Sequence, residues 1–488
     1  MKKTIALLSL SLLFWACTKI EETTYIAFRA GFVAPQVVRV GEAVIFKADA
    51  STTGAQTFLW KFGDKKRQTS NEVNPVFVYD TIGEYTATMV VEMDKKNSIK
   101  RDSVKQKVFS LPPTYDYSSN LYTQENYVAG FGTDEIAMSF ARTTEGGFAI
   151  VAQQNLNTLY VAKIKPNLDS ENPDWAFAIS DFGASPIYPA GIIQTADNGF
   201  LVVGYMEIGA SDSDAFVIKL NSNGIEQWRN TSLNSTNYER YTDVIQLANG
   251  DFIATGSIGK TSNTAVPILH TFDADGDYLT QAEVSTYKNC HINQIKKFGA
   301  TGDVYLVGNY AQQPVVISFY NNLVFKGISK INISGEAFHI AKTSGGDLFV
   351  TGRGYQNGST AFQDSTSYAF LAKFNDINGT PQSWLSRTKM YRERYIHSFA
   401  LDLNNIICVG EHYNPLSGKD LLFTKVNAQN GVSKSVKLLG DESDHRIAKV
   451  YFDGTHIYAF ATTREFISDK NSRYDICIVK TKLTDILP

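Results

Sequence analysis

Thr195-Ala196-Asp197-Asn198-Gly199-Phe200-Leu201-Val202-Val203-Gly204 is the stretch on which the reading of this chain turns. Asp214-Ala215-Phe216-Val217-Ile218-Lys219-Leu220-Asn221-Ser222-Asn223-Gly224 follows it, and then Trp228. It is the clearest of seven copies of one pattern that run from about Phe131 to the end of the chain. A small residue closes the first apolar run of each copy: Ala152, Gly204, Gly256, Gly308, Gly352, Gly410 and Ala461. These positions step by 52, 52, 52, 44, 58 and 51 residues. A period near fifty with several short strands per copy marks a propeller or a solenoid.

Alternation and turn residues divide the second copy into four strands. Strand one runs from Ala190 to Thr195, and Asp197-Asn198-Gly199 makes a tight hairpin into strand two, Phe200 to Gly204. Strand three is Ala215 to Leu220, and strand four Ile225 to Trp228. Four strands per period fit a propeller blade better than a solenoid coil. The repeats resemble the bacterial and archaeal propeller family built on T-x-D-G-G-[FY]-x-[VI]-x-G…D-x-[FW]-[VL]-x-K-[LT]-[DN]-x-x-G-x-x-x-W. The match is close in copies one to three and looser in four, six and seven. The last copy ends after its third strand, Asp475 to Lys480, while Leu121 to Tyr127 precedes the first copy without a partner. That segment is expected to supply the missing outer strand of the last blade, because closure leaves no open sheet edge. The expected fold is all-β: a small sandwich at 33–110 followed by a seven-bladed propeller at 121–488.

The sandwich is read from Phe58-Leu59-Trp60-Lys61-Phe62-Gly63-Asp64 and from Asn74-Pro75-Val76-Phe77-Val78-Tyr79 with Gly83-Glu84-Tyr85-Thr86-Ala87-Thr88. These are similar to the W-x-F-G-D and N-P-x-x-x-Y…G-x-Y-x-V-x-L segments of PKD domains. Lys65 stands where that family usually has a second glycine. Trp60 and Tyr85 are expected in the core, with Gly63 and Gly83 at turns. The resemblance implies a spacer or weak binding module. Leu111-Pro112-Pro113-Thr114 reads as a stiff linker, and 111–120 as the connection to the repeats.

The N-terminus reads as an address. Lys2 and Lys3 precede an apolar run, Ile5 to Ala16, that is too short to span a membrane, and Cys17 follows. The run resembles a bacterial lipoprotein signal, which implies lipidation of Cys17 after removal of what precedes it. Phe14 and Trp15 depart from the leucine and small residue usual there, and a plain secretory signal is the competing reading. Thr18-Lys19-Ile20-Glu21-Glu22 is similar to the surface-export signal of Bacteroidetes lipoproteins. Together they imply an outer-membrane lipid anchor (1–17) and a tether (18–32), presented at the cell surface or facing the periplasm.

Several functions find no support in the composition. The 46 basic and 49 acidic residues give a net charge of −3 with no basic block, which argues against a nucleic-acid partner. Beyond Cys17 there remain Cys290, Cys408 and Cys477, an odd number without CxxC spacing, expected as free thiols, with Cys408 and Cys477 in apolar strand patterns. The seven histidines lack HExxH spacing, and no GxSxG elbow or phosphate-cradling loop occurs. The reading therefore names no cofactor, no metal site and no catalytic residue. Asp273-Ala274-Asp275-Gly276-Asp277 imitates a calcium loop. Equivalent places in other copies keep the glycine without the acids (Asn221-Ser222-Asn223-Gly224), so a hairpin turn is expected. Lys163, Lys219, Lys373, Lys425 and Lys480 are read as one solvated strand position repeated by duplication.

The irregular material lies between strand four of one copy and strand one of the next, where loops carry function on a rigid scaffold. Asn237-Tyr238-Glu239-Arg240-Tyr241 and Tyr391-Arg392-Glu393-Arg394-Tyr395 are alike, and Glu442-Ser443-Asp444-His445-Arg446 is related. Tyr238, Arg240, Tyr241, Tyr391, Arg392, Arg394, Tyr395 and His445 are the candidate binding residues, since Tyr and Arg are enriched at binding hot spots. The competing reading is that each Arg–Glu pair laces neighbouring blades. The insertion from Tyr355 to Ser367 is expected on the same end. The expected function is a non-enzymatic, lipid-anchored binding or scaffold protein whose propeller docks on another envelope protein, such as a transporter or secretion complex. The alternative is a surface glycan-binding or carbohydrate-active protein.

Overall fold

In the computed structural model, described residues run from 29 to 487, without 53, 96–97, 119–125, 130–132, 170–171, 210–211, 232–237, 357–366, 389, 391, 416–417, 441–442 and 466–472. The two compact units are the N-terminal sandwich and the propeller.

In the sandwich, Ser98–Leu111, Gly83–Lys95, Thr57–Lys61 and Thr69–Ser70 neighbour one another in that order. Shorter pairs, Ala43–Ile45 with Val76–Val78 and Phe32–Val33 with Lys47–Ala48, form the remaining sheets. The core is a run of aromatic rings: Trp60, Phe46, Phe62, Phe77, Tyr79 and Tyr85, each in contact with the next in space. Two polar tips buried with it are satisfied, as burial requires. Trp60 Nε1 donates to the Glu72 carbonyl at 2.8 Å, and the Tyr79 hydroxyl to the Phe62 carbonyl at 3.0 Å. Gly63, at φ +77°, lies so close to Thr86 that a Cβ would sit 2.6 Å from its carbonyl oxygen.

The propeller has seven blades, each a four-stranded antiparallel sheet. Their first strands are Glu135–Arg142, Ile187–Gln194, Tyr238–Gln246, Cys290–Lys297, Ser334–Lys342, Glu393–Ala400 and Ser443–Phe452. These strands touch their counterparts around the ring, the seventh meeting the first, so they surround the axis. Blade seven is completed by Asn126–Ala129, antiparallel to Asp475–Lys482, so the closure expected of Leu121 to Tyr127 is made by a strand that begins at the end of that segment and runs two residues past it, while 121–125 lie outside the described residues. Within 111–120, read as a linker from its prolines, Tyr115–Ser118 adds a parallel fifth strand to blade six beside Ser433–Leu439.

Seven apolar clusters hold the ring, each shared by two consecutive blades. The one joining blade seven to blade one packs Phe460, Ile476 and Ile478 against Phe140 and Phe148. Each such fully buried side chain contributes about 1.5–3 kcal/mol, so the seam is as apolar as any other. Cys290, Cys408 and Cys477 are buried free thiols within these layers.

The period read from the sequence has a backbone cause. In every blade the first strand carries a bulge just after the residue that faces the repeat's small residue: Ala137 opposite Ala152, Tyr241 opposite Gly256, Tyr395 opposite Gly410, Ile447 opposite Ala461. The bulge turns the preceding carbonyl onto strand two. A Cβ on Gly256 would lie 1.8 Å from the Arg240 carbonyl oxygen, and one on Gly410 1.9 Å from that of Arg394. The closing glycine is therefore the sequence trace of the bulge.

Two further motif residues prove structural. The Asp273–Asp277 segment is a turn: Asp273 Oδ1 accepts the N–H groups of Asp275 and Asp277, and Gly276 adopts φ +91°. Trp228 of the preceding blade lies over Gly276 and donates to the Ala274 carbonyl at 3.1 Å. Trp175 does the same at Gly224 and Ser222. The repeated lysine is not the solvated position expected. Lys219 is buried, and its Nζ donates to Asp197 Oδ2 at 2.8 Å and to the Leu220 carbonyl at 3.1 Å. Lys163 meets Glu145, and Lys373 meets Asp347, in the same way. The lysine thus clamps the hairpin acid of its own blade. Burial pushes the Asp197 carboxyl up, but hydrogen bonds from Lys219, Thr195 and the Gly199 N–H outweigh it and hold it at about 2.

Candidate functional site

Tyr238, Arg240, Tyr241, Arg394, Tyr395 and His445 were expected in loops; all lie in first strands, upstream of the bulge. The extra bulge residue resets the alternation, so these strands continue several residues before the apolar pattern that marked them. Tyr391 and Cys17, the residue expected to carry the lipid, fall outside the described residues, as does most of the 355–367 insertion.

The two alike motifs do different things. In blade three, Arg240 reaches back to blade two: it pairs with Glu207 at 3.0 Å, donates to the Tyr205 hydroxyl at 3.3 Å, and lies over the Tyr205 ring at 4.2 Å. Tyr238 covers its other side at 4.5 Å. Arg240 therefore joins two blades. Tyr241 is buried and its hydroxyl shares a hydrogen bond with His270 Nδ1. Burial lowers the His270 imidazole to about 4, so the ring is neutral at physiological pH. Tyr395 is buried in blade six, and desolvation drives its phenol well above the ordinary range. His445 is buried in blade seven.

Arg392 and Arg394 line one cavity of about 360 Å³ where blades six and seven meet, together with Glu411, Tyr413, Lys419, Asp444 and Arg446. Glu411 organises it. Its carboxylate receives two hydrogen bonds from Arg394, at 2.8 and 3.0 Å, one ion pair from Lys419 at 3.0 Å, and the Ile447 N–H of the next blade at 2.6 Å. Burial would raise its pKa, but the charges of Arg394 and Lys419 prevail and hold it down to about 2. Arg446 pairs with Asp444 at 2.9 Å with half its side chain in solvent. Asp444 also accepts the Lys419 N–H at 2.9 Å, tying the blade six hairpin to blade seven.

Arg392 is different. It occupies left-handed backbone at φ +62°, a conformation that costs a non-glycine residue about 1 kcal/mol. It is exposed, its guanidinium lies over the Tyr413 ring at 4.2 Å, and it meets no hydrogen-bond acceptor among the described residues. Planar donors held on an aromatic face and left open are suited to a carboxylate or phosphate.

A second cavity, of about 280 Å³, lies between blades two and three and is lined by Glu239, Tyr241, His270, Phe272, Tyr278 and Gln281. Among the described residues no group of three or more His, Cys, Asp or Glu is placed to hold a metal ion.

Sequence reading missed Lys419, Tyr413 and Glu411, which come from strands two and three and carry no local signal. Arg446 stood in a quoted motif but was not singled out. Counting from the bulge would have found it, since Arg240, Arg394 and Arg446 each precede by one the residue facing the repeat's small residue.

Fold and site thus define an all-β protein with an N-terminal PKD domain and a β-propeller that carries an arginine-rich cavity. Residues 29–108 match the family model described as PKD domain. No curated protein matches the chain at a significant level. Among solved structures it is similar to the AfRom2 CNH domain (9% identity, 72% of this chain, 98% of that one, TM-score 0.39). It is similar also to a quinonprotein alcohol dehydrogenase-like protein from Bacteroides thetaiotaomicron (10% identity, 94% and 97%, TM-score 0.32). A third is a protein from Lactobacillus plantarum (10% identity, 72% and 99%, TM-score 0.41).

Proposed function

We propose that this chain is a non-enzymatic docking lipoprotein, anchored to the outer membrane through Cys17, whose propeller seats an acidic segment of another envelope protein in the cavity between blades six and seven. The observation that carries the reading is Arg392: an exposed guanidinium carried on left-handed backbone, laid on an aromatic face and without an acceptor among the described residues. Strain of this kind is retained where it positions a group for use. Arg446, half in solvent, supplies a second cation on the same rim. Glu411 and Asp444 are already paired with Arg394, Lys419 and Arg446, and Glu393 is held by the Tyr115 hydroxyl and His412, so Arg392 carries the unmatched charge and charge recognition is the chemistry the cavity offers.

The PKD domain serves in this reading as the spacer between the lipid and the propeller. The aromatic cavity between blades two and three supports the second reading, a glycan ligand, since Tyr278 is exposed beside Gln281 and Glu239.

The test is recovery of the full chain from native membranes in mild detergent, with mass spectrometry of what accompanies it. Wild type is expected to retain one envelope protein, and Arg392→Ala with Arg446→Ala to lose it at unchanged melting temperature. Cys17→Ser should release the protein from the membrane. Retention indifferent to the two arginines would refute the docking site, and membrane association indifferent to Cys17 would refute the anchor.

A further inference from the structure

The first strands also meet at the axis, away from the cavity above. Downstream of the bulge each presents an edge with no strand partner among the described residues, the one pairing between blades, Ser213 with Tyr238, lying upstream of it, and backbone N–H groups there need acceptors. In three blades the residue after the bulge serves the next blade. Asp243 accepts the Ile295 N–H at 3.2 Å, Gln294 the Ile340 N–H at 3.2 Å, and His339 Nδ1 the Ser398 N–H at 3.3 Å. These three are sheet-edge caps, and no ligand is needed to account for them.

The next two blades break the pattern. His397 accepts no backbone N–H among the described residues, and its ring lies against that of His339 with centroids 3.5 Å apart. Lys449 has donors alone. Its Nζ reaches Ser139 Oγ at 3.2 Å and stands 3.9 Å from Asp243. Lys296, two residues beyond Gln294 and so on the same face of its strand, adds a second ammonium. It is half-buried and has no hydrogen-bond acceptor among the described residues; burial first, and then the Lys449 charge, lower its pKa, while the Asp243 carboxylate opposes them.

The balance of groups is one-sided. Two ammoniums face a single carboxylate, and that carboxylate already serves a backbone N–H. Because Ser398 donates to His339 Nδ1, the neutral His339 ring carries its proton on Nε2 and is a further donor. Burial first, then for His339 the neighbouring His397, and for both the nearby lysine charges, keep the two imidazoles neutral, well below the ordinary histidine range. Half-buried cations and donors in excess of acceptors are costly unless an anion completes them.

We infer that the axial channel binds a small oxyanion of carboxylate or phosphate type, held by Lys296 and Lys449 with the imidazole edge of the histidine pair beside it. The site is independent of the docking cavity, and neither reading depends on the other.

The experiment titrates acetate and, separately, inorganic phosphate into the full-length protein by calorimetry at pH 7 and constant ionic strength. Saturable one-site binding of either anion is expected, and which of the two binds assigns the class. Lys296→Met and Lys449→Met should each weaken it about tenfold. Asp243→Asn should tighten it several-fold, because the amide oxygen still caps Ile295 while the competing charge is gone. A purely structural Asp243 would give no such gain. Lys296 makes no hydrogen bond among the described residues, so its variant tests the idea even if Lys449→Met folds poorly. Absence of saturation for both anions into the tens of millimolar, or wild-type binding by Lys296→Met, would overturn the inference.

Discussion

Exchanging the Glu411 carboxylate for the amide of Glu411→Gln keeps an acceptor for the Ile447 N–H while removing the charge that Arg394 and Lys419 share. The carboxyl stands at about 2 against an ordinary value of 4.5. A shift of that size is worth about 3 kcal/mol of stability at neutral pH. The folded pKa is the depressed one, so this contribution is complete above pH 4.5 and lost as pH falls toward 2; roughly half remains near pH 3. Arg394 and Lys419 are 25% and 21% exposed, so water screens part of their charge and the variant should lose about 2–3 kcal/mol at pH 7. Urea unfolding of the wild type and the variant, followed by tryptophan fluorescence at pH 7 and pH 3, measures both gaps. The gap should shrink by half or more at pH 3. A gap of equal size at the two pH values would refute the electrostatic account and leave shape alone as the role of Glu411.

Gly276→Ala should cost about 1–3 kcal/mol, since φ is +91° and a Cβ would strike the Trp228 ring at 2.7 Å. Thermal melts of Gly276→Ala, Trp228→Ala and the double variant should show the pair costing less than the sum, and strict additivity would dismiss the inter-blade lock. His270, at about 4, and His339 and His397, both held well below the ordinary range by burial, stay neutral when folded, whereas the unfolded chain takes up protons near pH 6.5. Stability from these groups is therefore present above pH 6.5 and lost as pH falls toward 4. Calorimetric melting temperatures should drop less over that window in His270→Gln than in wild type; parallel curves would sink the assignment.

Much of the fold was legible because it repeats. Gly204, Gly256, Gly308, Gly352 and Gly410 mark one bulge written five times, with alanine at the same place in blades one and seven. Lys219 was visible as a periodic residue, yet its burial against Asp197 was not, because a clamp across two hairpins has no local signature. The Tyr-Arg motifs were found by resemblance to each other. Their divergence was hidden, since Arg240 faces Glu207 of the previous blade and Arg394 faces Glu411 of its own. Strand boundaries failed upstream of each bulge, where one added residue shifts the two-residue alternation on which the reading relied.

The sequence by itself determined the sandwich, the blade count and closure by the segment before the first copy, though not that strand's bounds, because strand periodicity, turn glycines and an unpaired segment are local or periodic signals. Which side chains converge was decided by tertiary structure alone. Arg392, Tyr413 and Arg446 share a rim, and Lys296, His397 and Lys449 share an axis, across as many as 153 residues of chain between Lys296 and Lys449. Closing seven blades into a ring brings equivalent positions together at its centre, and no spacing along the chain encodes which charges then meet.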